Sequence, residues 1–261
     1  MIYLDPFPSK EDFDAMYPPS YQNGIDTTIL TNENIKLKGL RYAYKKHFDL
    51  LQLFSPGKRI LDYGCGNGNF VFNALNKGYD CIGAEYNPEH VQLLIKEGKG
   101  DAFYSIDQLM KNKELKFDTI RLSNVLEHLT DPRETITTLI SKLNPNGILL
   151  IEGPIETNPS FAHLFRKIYF KLRKNKTASH PPTHIFFSNK KNQRNFFKGF
   201  PLQEIQFKIA ENEWPFPEHL KEIKNASDCF KYLIAKTSKL LAALSKNQGN
   251  TFIYAGKKIS A

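Results

Sequence analysis

The chain predicts an open, doubly wound α/β sheet, and three observations carry that expectation. Short apolar runs alternate with amphipathic stretches of helical length from about Ile60 to Glu152, the pattern of parallel strands joined by helical crossovers. The first of these runs leads into Asp62-Tyr-Gly-Cys-Gly-Asn-Gly68, whose alternating glycines read as a sharp strand-to-helix turn. The length of 261 residues allows one good core and is short for two independent enzymatic domains. A single domain over 1–261 is therefore expected, with an N-terminal segment at 1–53, a core at 54–153, an insertion at 154–200 and C-terminal strands with a helical insertion at 201–261.

The elements follow in order. Aromatic and proline residues fill the chain up to about Gln52, with a helical stretch near Leu37 to Leu53. A buried strand starts at Ile60, and Gly64, Gly66 and Gly68 let the backbone take positive φ and approach a ligand closely. The next helix then aims its free N–H groups at that ligand. In that helix Phe70, Val71, Ala74 and Leu75 recur at helical spacing and Gly78 ends it as a C′ glycine. Asp80 to Tyr86 reads as the second strand, and Asn87 and Pro88 as the cap and first residue of a helix closed by Gly98. Ala102 to Ser105 is a third strand, with Ile106, Asp107 and Gln108 opening a short helix, and Phe117 to Ser123 is the fourth. Asp131 and Pro132 cap a helix to about Leu143, and Asn144-Pro-Asn-Gly147 turns into a fifth strand at Ile148 to Glu152. Leu202 to Ala210 and Asn250 to Lys257 are the last two strands, separated by an amphipathic helix at Ala226 to Lys246. Its stripe of Phe230, Leu233, Ile234, Leu240, Leu241 and Leu244 predicts core packing or a dimer face, with membrane attachment a weaker reading.

Two acids narrow the ligand. A dinucleotide turn wants G-x-G-x-x-G, whereas here the glycines alternate and Asp62 stands two residues before the first. An acid at that point repels a pyrophosphate but suits a cationic amino group. Glu85 ends its strand beside the turn, where two oxygens can accept both hydroxyls of a ribose, as either nucleoside cofactor would require. Cys65, Cys81 and Cys229 lie far apart without metal-ligand spacing, so free thiols and no metal are expected. The formal charge of +9 points to an acidic partner without bearing on the fold.

The run from Asp62 to Gly68 resembles motif I of the class I S-adenosylmethionine-dependent methyltransferases. Leu122-Ser-Asn-Val-Leu-Glu-His-Leu129 resembles that family's strand, small polar residue and Leu-Glu-His motif, at the expected distance. The resemblance covers about Asp62 to Ser188 and best fits enzymes acting on small molecules. It implies a Rossmann-like sheet of seven strands, mostly parallel with the last antiparallel, under an N-terminal lid. It also implies S-adenosylmethionine as cofactor, with contacts carried over residue by residue. Gly64, Cys65, Gly66 and Gly68 admit it, Asp62, Ser123 and Asn124 take its amino-acid end, and Glu85 and Tyr86 take the ribose. Ser105 and Ile106 meet the adenine, with Asp107 as the alternative acid, and Tyr21 or Tyr17 of the lid faces the sulfonium, which a ring face would stabilise. Packing of the lid onto the core is the competing reading of those tyrosines.

On the acceptor side, Phe161 to Lys176 alternates basic residues (Arg166, Lys167, Lys171, Arg173, Lys174, Lys176) with aromatic and aliphatic ones. Such a helix suits an anionic ligand or a membrane surface, and equally a solvated face. His180-Pro-Pro-Thr-His184-Ile-Phe-Phe-Ser188 follows. Its latter half resembles a histidine, phenylalanine and serine segment of many small-molecule methyltransferases, with Ser188 capping a helix at Asn189 to Lys198. An imidazole can take a hydroxyl proton near neutrality. His184 is the first choice of base, then His180; for these a structural hydrogen bond is the rival reading. His128 reads either as a base near the transfer axis or as a structural residue starting a helix. The expected activity is methyl transfer to a small, anionic acceptor such as a sugar or lipid precursor, chiefly O-methylation, with no nucleic acid partner. Peripheral membrane contact and a homodimer stay open. The alternatives are a nucleic-acid or protein methyltransferase, a dinucleotide-dependent oxidoreductase and a cofactor-binding scaffold without turnover. The N-terminus lacks a basic then apolar leader and no apolar run reaches membrane-spanning length, so a cytoplasmic location is expected.

Overall fold

A computed structural model of the chain describes residues 2–3, 9, 11–12, 42–97, 102–172, 184–211, 217, 220–245 and 247–259. In chain order the elements are β1 (Ile2–Tyr3), α1 (Tyr42–Phe54), β2 (Arg59–Tyr63), α2 (Asn69–Asn76), β3 (Asp80–Glu85), α3 (Pro88–Glu97), β4 (Phe103–Ser105), α4 (Ile106–Lys111) and β5 (Phe117–Ser123). A 3₁₀ turn at Leu126–His128 follows, then α5 (Pro132–Ser141), β6 (Leu143–Pro154), α6 (Phe161–Leu172), β7 (Phe186–Phe187), α7 (Lys190–Phe197) and β8 (Leu202–Ala210). A second 3₁₀ turn at Leu220–Glu222 precedes α8 (Ala226–Ser245) and β9 (Thr251–Lys258).

The main sheet has seven strands in the order β4-β3-β2-β5-β6-β9-β8. Every neighbouring pair from β4 to β6 is parallel, and β9 alone runs against its neighbours β6 and β8. Strand order reverses direction between β2 and β5, the point at which ligands of open α/β sheets bind. The central strands are buried on both faces, as near-continuous apolar runs require. Alternation sends Leu61 and Tyr63 into a core under α4, α5 and α7, and Ile60 into one under α1, α2 and α3. Leu50 of α1 also packs on Ile148 and Leu150 of β6. Helix α1 thus spans the sheet from β2 to β6. A separate ladder pairs β1 with β7, antiparallel, tying the start of the chain to the segment just after His184.

Local signals explain most boundaries. Gly78 sits at φ 79° just past α2, Asn87 accepts from the His90 N–H at the start of α3, and Asp131 accepts from the Glu134 N–H ahead of Pro132. Two expectations need correction. The cap of α7 is Asn189, which accepts from the Asn192 N–H, while the buried Ser188 hydroxyl donates to Gln193. Helix α8 buries Ile234, Ala235, Ser238 and Ala242, whereas Phe230, Leu233, Leu240 and Leu244 are exposed. Of the stripe read as core packing or a dimer face, Ile234 is buried but these four are not, so core packing alone does not account for it. Cys65 and Cys81 are free and buried, and Cys229 is free and exposed. Among the described residues no helix is long and apolar enough to cross a membrane.

The turn after β2 needs its glycines for separate reasons. Gly64, Gly66 and Gly68 take φ of 73°, 53° and 71°, which costs any other L-residue about 1–2 kcal/mol. A Cβ on Gly64 would also lie 2.4 Å from Val125 Cγ2, whereas one on Gly66 would meet nothing within 4 Å. Gly66→Ala is therefore expected to cost about 1–2 kcal/mol of stability while filling the open side of the turn, and Gly64→Ala to cost more. Chemical denaturation of both variants beside cofactor titrations checks this order. A Gly66→Ala protein that binds cofactor normally would contradict it.

Candidate functional site

The site lies at the carboxyl ends of β2, β3, β4, β5 and β6. Gly64 and Cys65 N–H groups both donate to the Ala84 carbonyl, at 2.8 and 3.0 Å. The Gly66 N–H donates to Glu85 Oε2 at 2.9 Å, and the Tyr86 N–H to Glu85 Oε1 at 2.8 Å. Glu85 is thereby fixed, buried against the turn, with each oxygen keeping a lone pair for a further donor. The Tyr86 ring is 51% exposed at the strand end beside it. Ser105 faces Glu85 in register on β4, and its hydroxyl oxygen accepts from the Gln108 N–H in the capping box that starts α4 at Ile106. Asp107 lies in the first turn of α4.

Ser123 ends β5 beside Glu152 of β6. Asn124 follows at φ 54°, a left-handed conformation for which asparagine is among the better non-glycine residues, and its N–H donates to the Glu152 carbonyl at 2.8 Å. Asp62 is 1% exposed and accepts from Arg121 Nη1 at 2.5 Å through Oδ1, while its buried Oδ2 has no hydrogen-bond partner. An orphaned buried acceptor is rare. Together with the open space at Gly66 and the spare lone pairs of Glu85, it fits a nucleoside carrying an ammonium group, as S-adenosylmethionine does.

A second cluster stands on the acceptor side. The Leu126–His128 turn places the His128 ring 4.8 Å from that of His184, edge to face. His184 Nδ1 makes a short hydrogen bond to Glu156 Oε1. A carboxylate accepts only, so Nδ1 carries the proton and Nε2 is the basic nitrogen. Burial disfavours the charged imidazolium, yet the bond to Glu156 and the charges of Glu156 and Glu127 outweigh it and raise the His184 pKa above its ordinary 6.5. Glu127 is buried, its Oε1 lacks a hydrogen-bond partner, and burial pushes its pKa from 4.5 up to about 7. Glu127, His128 and His184 offer one ligand atom each within 4.8 Å of one another, so a cation could be held here despite the expectation of no metal.

The structure thus groups His128 with His184 and Asp62 with the glycine turn, and leaves His180, Tyr17 and Tyr21 outside the described residues. The side chains of Arg166, Lys167 and Lys171 in the basic helix also lie outside them, as do Arg173, Lys174 and Lys176. Sequence reasoning missed Glu156, Glu127, Arg121 and His47. Glu127 sits inside the Leu-Glu-His stretch and could have been found from it; the other three are recognisable only once strands are placed side by side. The raised Glu127 pKa means that the unfolded chain gives up this proton at a lower pH than the folded one. Folding stability should therefore fall as pH rises from about 4.5 to about 7. Glu127→Gln should gain on the parent over that window, by on the order of 3 kcal/mol at most. Urea unfolding at several pH values reads the difference, and parallel pH profiles would contradict it.

Comparisons with known proteins bear on the family and the fold. A family model described as "Methyltransferase domain" matches residues 38–203. The ubiquinone biosynthesis O-methyltransferase of Xanthomonas campestris is 30% identical over 113 residues, 41% of this chain and 47% of that protein. The tRNA U34 carboxymethyltransferase of Azotobacter vinelandii is 31% identical over 125 residues, 41% of this chain and 34% of that protein. The chain thus spans less than half the length of these curated relatives. Among solved structures, a SAM-dependent methyltransferase from Archaeoglobus fulgidus matches with a TM-score of 0.51 at 19% identity, covering 83% of this chain and 93% of that one. Phosphoethanolamine N-methyltransferase 2 of Haemonchus contortus, solved with S-adenosyl-L-methionine, matches with a TM-score of 0.53 at 17% identity, covering 92% and 60%. At such identities these structures speak for the fold. The family model spans well over half the sequence and the carboxyl ends of β2 to β6, and the chain accordingly belongs to the methyltransferase-domain family.

Proposed function

We propose that the chain methylates an oxygen of a small molecule, with His184 as general base oriented by Glu156. The observation that carries this reading is the hydrogen bond from His184 Nδ1 to Glu156. It fixes the tautomer and turns Nε2 into a proton acceptor of raised basicity. When bound, S-adenosylmethionine supplies an electrophilic methyl group. Gly64, Gly66 and Gly68 would admit it, Glu85 would hold its ribose, and Asp62 its ammonium. Asn124, in its left-handed turn, would carry its backbone past the methionine end. The remaining work of the protein is position and exclusion of water. His184 Nε2 takes the proton that leaves the acceptor hydroxyl as the carbon–oxygen bond forms, and Glu156 stabilises the resulting imidazolium. The O-methyltransferase relatives support an oxygen acceptor, with the identity of that acceptor left to experiment.

A second reading places a divalent cation on Glu127, His128 and His184, favoured by their 4.8 Å grouping; it would polarise the same hydroxyl without a base. Transfer of labelled methyl to a panel of phenols, catechols and sugars, with and without chelator, separates the two. Base catalysis predicts turnover that survives chelation, and the cation reading predicts loss restored by added metal. Labelled product in nucleic acid or protein alone would contradict the small-molecule assignment. For the base, His184→Ala is expected to lower kcat by about 10²- to 10⁴-fold with cofactor binding intact. The acidic limb of kcat/KM should rise with a pKa above 6.5. Glu156→Gln, which removes the charge that raises it, should move that limb to lower pH. A pH profile unmoved by Glu156→Gln would contradict the pairing.

A further inference from the structure

On the face of the sheet covered by α1, three adjacent strands each turn a charged side chain inward: Asp62 of β2, Arg121 of β5 and Glu152 of β6. Asp62 and Arg121 are register partners, and Glu152 lies opposite Ser123, two residues further along β5. His47 of α1 joins them. Arg121 Nη1 donates to Asp62 Oδ1 at 2.5 Å and Nε donates to His47 Nδ1 at 2.9 Å, while His47 Nε2 lies 2.5 Å from Glu152 Oε2. A guanidinium nitrogen only donates, so Nδ1 must accept, the proton sits on Nε2, and Nε2 donates to Glu152. His47 is therefore a neutral imidazole in one tautomer. Burial, then the charge of Arg121, holds its pKa below the usual value, in keeping with that assignment. His47, Asp62 and Arg121 are 1%, 1% and 6% exposed. Two carboxylates and one guanidinium leave a single net negative charge under the glycine turn.

The bond between Arg121 and Asp62 uses one nitrogen and one oxygen, although this pair favours a two-pronged fork. Two contacts on Arg121 account for it. Its Nε is committed to His47, and its guanidinium lies 4.1 Å from the Phe70 ring centroid. In consequence Asp62 Oδ2 stays buried and without a hydrogen-bond partner.

We propose that His47 and Glu152 are positioning residues for the amino-acid end of the cofactor. Anchoring Arg121 back against α1, they prevent it from capturing both oxygens of Asp62 and so keep Oδ2 available for the cofactor's ammonium. This rests on the reading that Asp62 faces that ammonium, which Asp62→Asn tests separately. With His47 removed, Arg121 closes the fork and neutralises the carboxylate from within.

Calorimetry with two probes tests the assignment without any acceptor. S-adenosylhomocysteine carries the amino-acid end, and 5′-methylthioadenosine lacks it. His47→Leu should weaken S-adenosylhomocysteine by about tenfold or more, on the order of 1.4 kcal/mol, and leave 5′-methylthioadenosine unchanged. His47→Gln, whose amide can accept from Arg121 and donate to Glu152, should restore it. Glu152→Gln keeps an acceptor for His47 but removes a charge, should weaken S-adenosylhomocysteine alone, and decides the matter if His47→Leu does not fold. Equal weakening of both probes, no weakening of either, or Leu and Gln behaving alike at position 47 would overturn the proposal. An Asp62→Asn protein that binds S-adenosylhomocysteine normally would instead overturn the reading of Asp62 on which it rests.

Discussion

The site depends on how the turn after β2 is held against β3. Three consecutive N–H groups of that turn, from Gly64, Cys65 and Gly66, are spent on the last two residues of β3, the Ala84 carbonyl and the Glu85 carboxylate. This fastens a left-handed backbone, stable only where glycine removes the Cβ, to the parallel strand beside it. Two consequences follow. The inner side of the turn is a surface of bare backbone that a nucleoside can approach, and Glu85 is oriented before any ligand arrives. A carboxylate already held by two backbone donors loses little freedom on binding, which is the advantage of a preorganised site.

Charge divides the cradle from the acceptor side. Beneath the turn, Asp62, Arg121, His47 and Glu152 form a buried chain with an excess of one negative charge. It is the electrostatic complement of a cationic cofactor and a poor host for a pyrophosphate. Beyond β5 and β6, Glu127, His128, His184 and Glu156 form a cluster in which burial raises the Glu127 pKa to about 7 and the bond to Glu156 raises that of His184. Groups poised near working pH are what proton transfer needs, and environments that displace pKa values often mark reacting centres. The Asn124 turn joins the two regions, bonded by its N–H to the same Glu152 whose side chain ends the buried chain.

Much of this was legible in the sequence where the physics is local. The glycine turn, the Asn87 and Asp131 caps, the strand ends at Glu85 and Ser123 and the order of strands and helices follow from residue types at short spacing. The misses come from tertiary context. Ser188 and Asn189 are both fair caps, and only the burial of Ser188 against Gln193 decides between them. The face that α8 buries depends on what lies beneath it, which the helix pattern alone does not encode. His47 and Arg121 are separated by 74 residues, and Glu156 and His184 by 28. No local pattern distinguishes such residues from surface charges until the sheet register brings them together.

The central claim is that a cationic, ribose-bearing cofactor seats in the cradle anchored by Asp62 and Glu85. Titration calorimetry of the intact chain with S-adenosylhomocysteine and, separately, with NAD tests it most directly. The account predicts saturable one-to-one binding of S-adenosylhomocysteine, weakened by Glu85→Ala, and no binding of NAD. Heat from NAD with none from S-adenosylhomocysteine would contradict it.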